Sequence, residues 1–426
     1  MEESRAESTV ASVELWRDAS SSPTLRTMVL PAPIPVATPP LPKQDPTVPW
    51  PIGDWPRGTA PEGLDLEALL DVAFDEEGPC RTTNAVIVVH RGRIVAERYA
   101  GVREFFDRDP EPVDAATPLI SWSMAKSMLA SIVFQLIDEG RLDRDAPAPV
   151  AAWSDPSDPR SAITLGDLLA MRDGLDFVED YVDGGVSHVI EMLFGEGAAD
   201  MAAYAANRPL KHGPGTQYNY SSGTTNIISG IVADVLGTGP TYEQALHDRL
   251  FGPLSMTSAT ASFDDAGTFV GSSYVHATAQ DFARFGLCLL RGGVFNEKQV
   301  IPPSGIAAAR TPLSQDPDGL LYSQQFWMPG DRFGTFAAQG YEGQSITACP
   351  ALDVVLVRLG RTPAERADAP SRGGGASSTP SPTPSGSSSA QLPLQALLGG
   401  EACLALGQRC LVGANGGEEG GLAERF

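Results

Sequence analysis

Ser123 and Lys126, one helical turn apart in ISWSMAKSMLASIVFQLIDEG (120–140), are the pair in this chain best suited to do chemistry. A serine hydroxyl is a poor nucleophile until a base takes its proton, and a lysine is that base only when its amine turns neutral well below the usual ~10.4. Helical spacing places Ser123, Lys126, Ala130, Val133 and Ile137 on one stripe, which Leu129, Ile132 and Leu136 widen into an apolar face. Burial on such a face disfavours the ammonium, and the positive potential of a helix N-terminus favours an alkoxide at Ser123. A Ser-x-x-Lys also arises by chance, and a lysine on a helix surface snorkels to water. Two features set this one apart. The chain holds four lysines against twenty-six arginines, and arginine cannot supply a neutral amine. The pattern also opens a helix directly after a hairpin, as a nucleophile position does.

Two further stretches offer partners. In HGPGTQYNYSSGTTNIISG, Pro214-Gly215 makes a turn and Tyr220-Ser221-Ser222 precedes a helix expected from Thr224 onward. A tyrosine hydroxyl held near a lysine can act as general base and acid, although taken alone Tyr220 reads as a core residue with a satisfied hydroxyl. In QGYEGQSITA, glycines 340 and 343 flank a sheet edge and let a ligand approach the backbone. A strand N–H at Gln344 or Ser345, with the N–H of Ser123, would form an oxyanion hole. Nothing points to a metal or cofactor: His90, His188, His212, His247 and His276 are dispersed, with no H-x-x-x-H and no phosphate loop. A G-x-S-x-G elbow is absent, which leaves Ser123 without a rival.

These residues need a frame. NAVIVVHRGRIVAERYAG reads as a hairpin turning at Arg91-Gly92, preceded by a helix over 64–76. Strand patterns return in GTFAAQGYEG, QSITACP and DVVLVRLGR, with a tight turn at Pro350 to Asp353. The sheet thus draws on two distant parts of the chain, about 63–147 and 276–362, with a mostly helical insertion over about 148–275. The fold class is α+β, an antiparallel sheet flanked by helices. Residues 1–47 are expected to be a disordered, proline-rich arm, with the proline density running on to 62 and Trp50 and Trp55 pinning it to the body; 48–362 form the domain. The segment 363–426 is of low complexity, glycine-, serine- and proline-rich, and expected to be disordered.

A net charge of -23 and a pI near 4.5 repel phosphate backbones and anionic lipid, so nucleic-acid and membrane partners are excluded and small molecules remain. Cys80, Cys288, Cys349, Cys403 and Cys410 are odd in number and scattered, which suits reduced thiols rather than a disulfide framework. The N-terminal thirty residues mix charges and read as no secretory signal, so the expected location is cytoplasmic. The oligomeric state is left open.

Taken in order, SWSMAKS, DGLDFVEDY, YNYSSG, GSSYVHATAQDFARFGL and GYEGQ followed by DVVLVRLG resemble the serine β-lactamase and penicillin-binding-protein superfamily. The resemblance covers roughly residues 48–362 and lies with class C β-lactamases and their esterase and amidase relatives, above all the 6-aminohexanoate-dimer hydrolase-like serine hydrolases. It implies a β-lactamase/transpeptidase-like fold, Ser123 as the acylated nucleophile, Lys126 as its proton acceptor and Tyr220 as the relay to the leaving group. It further implies that Tyr181 lies over the site and contacts substrate, and that Ser222, Tyr341, Glu342 and Gly343 line the substrate position. Ser222 stands where many relatives carry asparagine. Tyr341-Glu342-Gly343 stands where β-lactamases and cell-wall peptidases carry a basic residue, a hydroxyl residue and glycine. Loss of that basic residue weakens recognition of a substrate carboxylate and argues against β-lactams and peptidoglycan stems. The expectation is a serine hydrolase acting on an amide or ester of a small linear substrate, with a catalytically silent binding protein as the alternative. A β-lactamase or D,D-peptidase is the weakest fit.

Overall fold

Thr82–His90 (β1) and Arg93–Tyr99 (β2) form the expected hairpin. Arg91 and Gly92 take φ of 50° and 75°, the two-residue turn whose twist matches that of paired strands. The structure, a computed structural model, describes residues 32–362 except 63–64, 79, 81, 104–108 and 182–186; the low-complexity segment 363–426 and residues 1–31 lie outside the described residues.

β1 buries Val86 and Val88 on one side and Ala85, Ile87 and Val89 on the other, so its nearly unbroken apolar run belongs to a strand covered on both faces. Six more strands follow late in the chain: Ser314–Gln315 (β3), Leu321–Tyr322 (β4), Trp327–Met328 (β5), Phe336–Gly340 (β6), Gln344–Cys349 (β7) and Val354–Arg361 (β8). They join the hairpin in one antiparallel sheet ordered β3-β4-β5-β6-β7-β8-β1-β2. The two distant parts of the chain meet where β8 pairs β1, with Val357 opposite Ile87. The last tight turn also falls as expected, as a 3-10 turn over Pro350–Leu352 closed by Asp353 at φ 52°. Strands β3 to β5 are absent from the sequence reading because two-residue strands show no alternation to detect.

Leu66–Ala73 (α1) covers one face of the sheet with Leu66, Leu70 and Ala73 packed on Val86, Val88 and Leu356. Against the other face lie Met124–Asp138 (α2) and, after a mostly helical stretch containing Leu165–Leu169 (α3) and Ser222–Leu236 (α4), the helix Ala279–Leu290 (α5). Gly286 lets α5 press onto the strands, since a methyl there would sit 2.5 Å from Val355 Cγ1 and 2.8 Å from Ile346 Cγ2. α2 differs from its expected single apolar face: every residue from Met124 to Leu136 is buried. Its second stripe is polar but satisfied, because Ser127 donates to Gln325 O (2.6 Å), Ser131 to Ser127 O (2.9 Å) and Gln135 to Val300 O (2.8 Å).

Residues 32–47 correct the expectation of disorder over 1–47. Proline carbonyls have no neighbouring N–H to bond within an extended arm, and here arginines of the body donate to them: Arg310 Nη2 to Pro39 O at 2.6 Å and Arg291 Nη1 to Pro42 O at 3.5 Å, while the arm's own Ile34 N donates to Pro312 O at 2.8 Å. Trp50 packs on Phe295 with centroids 5.3 Å apart, and buried Trp55 donates to Gln280 O at 3.2 Å. Among the described residues no helix is long and apolar enough to cross a membrane.

Asp173, after α3, is buried and accepts from Leu175 N (2.7 Å) and Thr224 Oγ1 (2.5 Å), tying the following loop to α4. Burial pushes its pKa from 3.8 up to about 6. The folded state therefore holds the proton more tightly than the unfolded chain, and the stability this gives is full below pH ~4 and lost as pH rises through 6. Asp173→Asn is expected to flatten the fall in stability between pH 4 and 6, by up to about 3 kcal/mol, in denaturant titrations across that range. An unchanged slope in the variant would contradict it.

Candidate active site

Ser123 occupies the N-cap of α2 in helical geometry (φ -64°, ψ -4°), and its hydroxyl caps no helix amide. The preceding Trp122 is forced to φ 43°, a left-handed conformation costly for a bulky residue, of order 1–3 kcal/mol. Hydrogen bonds hold the bend: Ser121 N donates to Val275 O (2.8 Å) and Ser121 Oγ to Ser273 O (3.1 Å). The outcome is a serine hydroxyl freed from capping and turned toward the next turn of its helix.

Lys126 meets it there. Its side chain is 2% exposed, and Nζ lies 3.0 Å from Ser123 Oγ, 2.9 Å from Ser222 Oγ and 3.0 Å from Ser272 O. Three oxygens from three separate segments therefore surround one amine removed from water, which lowers the cost of burying it. Tyr220 completes the shell with its ring, whose centroid is 5.0 Å from Nζ. That ring is itself wedged against Trp327 (5.3 Å) and Tyr322 (5.9 Å). The structure so brings Ser123, Lys126 and Tyr220 together.

Ser222 is corrected in role. It is fully buried, its Oγ accepts from Lys126 and donates to Glu179 Oε1 at 2.8 Å, and its N–H donates to Glu179 Oε2. Its one proton is therefore spent on Glu179, so Ser222 cannot donate to a substrate in the way an asparagine amide would. Glu179, which the sequence reading missed, also accepts from the Tyr181 hydroxyl at 3.0 Å. A carboxylate thus stands one hydroxyl away from the buried amine and fixes the aromatic ring beside it. Its only sequence signal was its place two residues before Tyr181, in a chain of fifty-three acidic residues.

Tyr181 stacks on Tyr341 (5.0 Å, 27° between planes), and Tyr341 meets Trp122 edge to face at 5.8 Å. Burial and the nearby Glu179 charge hold the Tyr181 hydroxyl well above the usual tyrosine range, so it stays a donor. Trp122 Nε1 donates to Glu342 Oε2 at 3.3 Å, and burial raises the Glu342 carboxyl above its ordinary value. A cavity of about 340 Å³ opens beside this wall, lined in part by Trp122, Tyr181, Tyr341 and Glu342.

The expected oxyanion amides are displaced. Tyr341–Gly343 forms a tight 3-10 turn with Glu342 at φ 59° and Gly343 at φ 81°, so the chain reverses three residues earlier than the reading assumed. The Gln344 N–H donates to Tyr341 O, and Ser345 lies inside the ladder between Gln339 and Arg358. Gly343 faces Arg358, whose Nη1 donates to Glu342 O and Gly343 O at 2.9 Å each, rather than substrate. The backbone that reaches Ser123 is Gly340, where a methyl would sit 3.1 Å from Ser123 N and 2.4 Å from Ser121 O.

The family description Beta-lactamase matches residues 80–375. The chain is similar to 6-aminohexanoate-dimer hydrolase of Paenarthrobacter ureafaciens, 28% identical over 307 residues, covering 66% of this chain and 73% of that one. Among solved structures it is similar to a Bacillus anthracis protein provisionally described as a 6-aminohexanoate-dimer hydrolase, with TM-score 0.59, 23% identity and coverage of 75% and 84% of the two chains. It is also similar to a penicillin-binding protein homologue from Caulobacter crescentus, with TM-score 0.54, 19% identity and coverage of 71% and 93%. These likenesses show a β-lactamase/transpeptidase-like fold.

Gly340 has φ -138°, which any residue adopts, so Gly340→Ala tests close approach alone. The added methyl must push the strand end off Ser121, and we expect a loss of about 1–3 kcal/mol, read as a lowered Tm by circular dichroism. An unchanged Tm would show that the contact is not tight.

Proposed function

The chain belongs to the beta-lactamase family, and on that premise we propose that it is a serine hydrolase cleaving an amide or ester of a small linear substrate through an acyl-enzyme on Ser123. The observation that carries this reading is the 3.0 Å contact between a buried Lys126 amine and the Ser123 hydroxyl. Neutral Lys126 takes the hydroxyl proton as Ser123 Oγ bonds to the carbonyl carbon, and the carbonyl oxygen becomes an oxyanion. The Ser123 N–H and the amide of Tyr341, next in the chain after Gly340, are the donors we assign to it. Tyr220, beside Lys126, passes the proton to the leaving amine or alcohol; water then attacks the acyl carbon and returns the serine. The linear amide named by the Paenarthrobacter relative is the substrate type this reading favours. Strand β6 ends Ala338-Gln339-Gly340, without a basic residue facing the nucleophile region, which is consistent with a substrate other than a β-lactam.

Two measurements test the reading. A fluorophosphonate probe is expected to label the protein, and p-nitrophenyl esters to turn over, with both lost in Ser123→Ala; labelling that survives the substitution, or folded wild type that never labels, would sink the assignment. Nitrocefin and 6-aminohexanoate dimer beside the esters sort lactam from linear amide. Glu179→Gln removes a negative charge that favours the protonated amine through Ser222. The low-pH limb of the kcat/KM profile is therefore expected to move to lower pH. A limb that stays in place while activity falls would reduce Glu179 to a purely positional role.

A further inference from the structure

We propose that His188 is a positioning residue for this site: as a neutral imidazole it accepts the Val178 N–H and so holds Glu179 on Ser222, and acid that charges the ring releases the hold. The proposal rests on the hydrolase reading for its effect on turnover, though not for the contact itself. His188 opens the helix His188–Phe194, is 8% exposed and packs beside the Phe177 ring at 5.7 Å. Val178 N donates to its Nδ1 at 2.8 Å, while Val178 O accepts from the backbone N–H of His188 (3.0 Å) and of Val189 (3.3 Å). Side chain and backbone of one residue thus grip Val178 from both sides. The next residue is Glu179, whose carboxylate takes the Ser222 N–H, the Ser222 hydroxyl and the Tyr181 hydroxyl. Ser222 in turn meets Lys126 at 2.9 Å, so each step from the ring to the amine is a hydrogen bond or a single residue of chain.

That grip needs an uncharged ring. Nε2 lies 2.7 Å from Arg208 Nη2, so both ring nitrogens face groups that only donate, a peptide N–H on one side and a guanidinium on the other. A neutral imidazole has one acceptor nitrogen and can meet one of the two, whereas imidazolium has none and opposes both. The surroundings push the same way. Burial comes first, then the Arg208 charge, with Asp176 opposing and Lys211 adding, and the ring is held below the usual imidazole range. Lys211 also sits 3.4 Å from the Asp176 carboxylate, which blunts that opposition. Once acid does charge the ring, the Val178 N–H loses its acceptor directly beside Glu179.

Two substitutions test this. His188→Leu fills the space beside Phe177 and removes the acceptor, whereas His188→Asn offers an amide oxygen near the place of Nδ1 and cannot be charged. In the leucine variant kcat/KM for p-nitrophenyl esters is expected to fall about tenfold, the worth of one well-made hydrogen bond. Its low-pH limb should move to lower pH, as in Glu179→Gln, and adding His188→Leu to Glu179→Gln should move it no further. The asparagine variant is expected to keep the wild-type limb. A leucine limb that stays in place, or a shift that persists in the Glu179→Gln background, overturns the proposal. Nuclear magnetic resonance on the isotope-labelled wild type needs neither a variant nor turnover. There the Val178 and Ser222 amides are expected to shift with the same midpoint as the ring nitrogens of His188. Amides indifferent to the ring's titration overturn the proposal as well. They do so whether or not Ser123 labels with fluorophosphonate, which alone decides the hydrolase reading.

Discussion

An amine buried in an all-buried helix constrains everything near it. Lys126 on α2 is 2% exposed, so its hydrogen-bonding positions must be met by the protein, and the partners come from three places: its own helix at Ser123, α4 at Ser222 and the chain before the strand at 275 through Ser272 O. Removing any one leaves a polar position of the amine unmet in a dry environment, at a cost of about 1–3 kcal/mol. The insertion and the sheet layer are thereby registered on each other to within a hydrogen-bond length. The same requirement pulls in Glu179, because Ser222 can accept from Lys126 only while its own proton goes elsewhere. A fold that buries one lysine has in this way also placed a carboxylate and, through it, the Tyr181 ring.

The opposite wall is set by a second buried cation with a different task. Arg358, 5% exposed, spends its guanidinium on backbone carbonyls of Cys80, Glu342 and Gly343 and on the hydroxyl of Thr362. Arginine suits this work because it never deprotonates and its planar fork meets several carbonyls at once. Its effect is to hold the Tyr341–Gly343 turn in a conformation with two consecutive positive φ values. That turn decides which strand end abuts Ser123 and which aromatic faces Trp122. Lysine at 126 and arginine at 358 thus divide the labour according to their chemistry: a compact amine gathers two hydroxyls and one carbonyl, and a planar fork gathers several backbone carbonyls at once.

The frame and the Ser123–Lys126 contact were legible because each rests on local pattern. The hairpin at Arg91-Gly92, the strands over 336–361 and the Ser123 N-terminus of α2 all follow from turn residues and periodicity. Glu179 was not legible, since its importance lies in a contact with Ser222 forty-three residues away. That Gly340, rather than Gln344 or Ser345, approaches Ser123 was not legible for a related reason. QGYEGQS contains two glycines, and the glycine that touches Ser121 is distinguished from the one that accommodates Arg358 only by tertiary contacts. Residues 32–47 were misread because proline density excludes helix and strand but does not say whether donors such as Arg310 wait on the surface beneath.

The departure at the third motif acts first on the shape of the wall. The strand end beside Ser123 carries Gln339 and Gly340 and passes directly into Tyr341, which stacks on Tyr181 and meets Trp122 edge to face. Gly340 lies so near Ser121 O and Ser123 N that even a methyl group would crowd them, so the strand end can carry no side chain toward Ser123 at that position. The first side chain the chain can present beyond it is the Tyr341 ring, and a rigid aromatic there needs the two positive φ values of the turn that Arg358 holds.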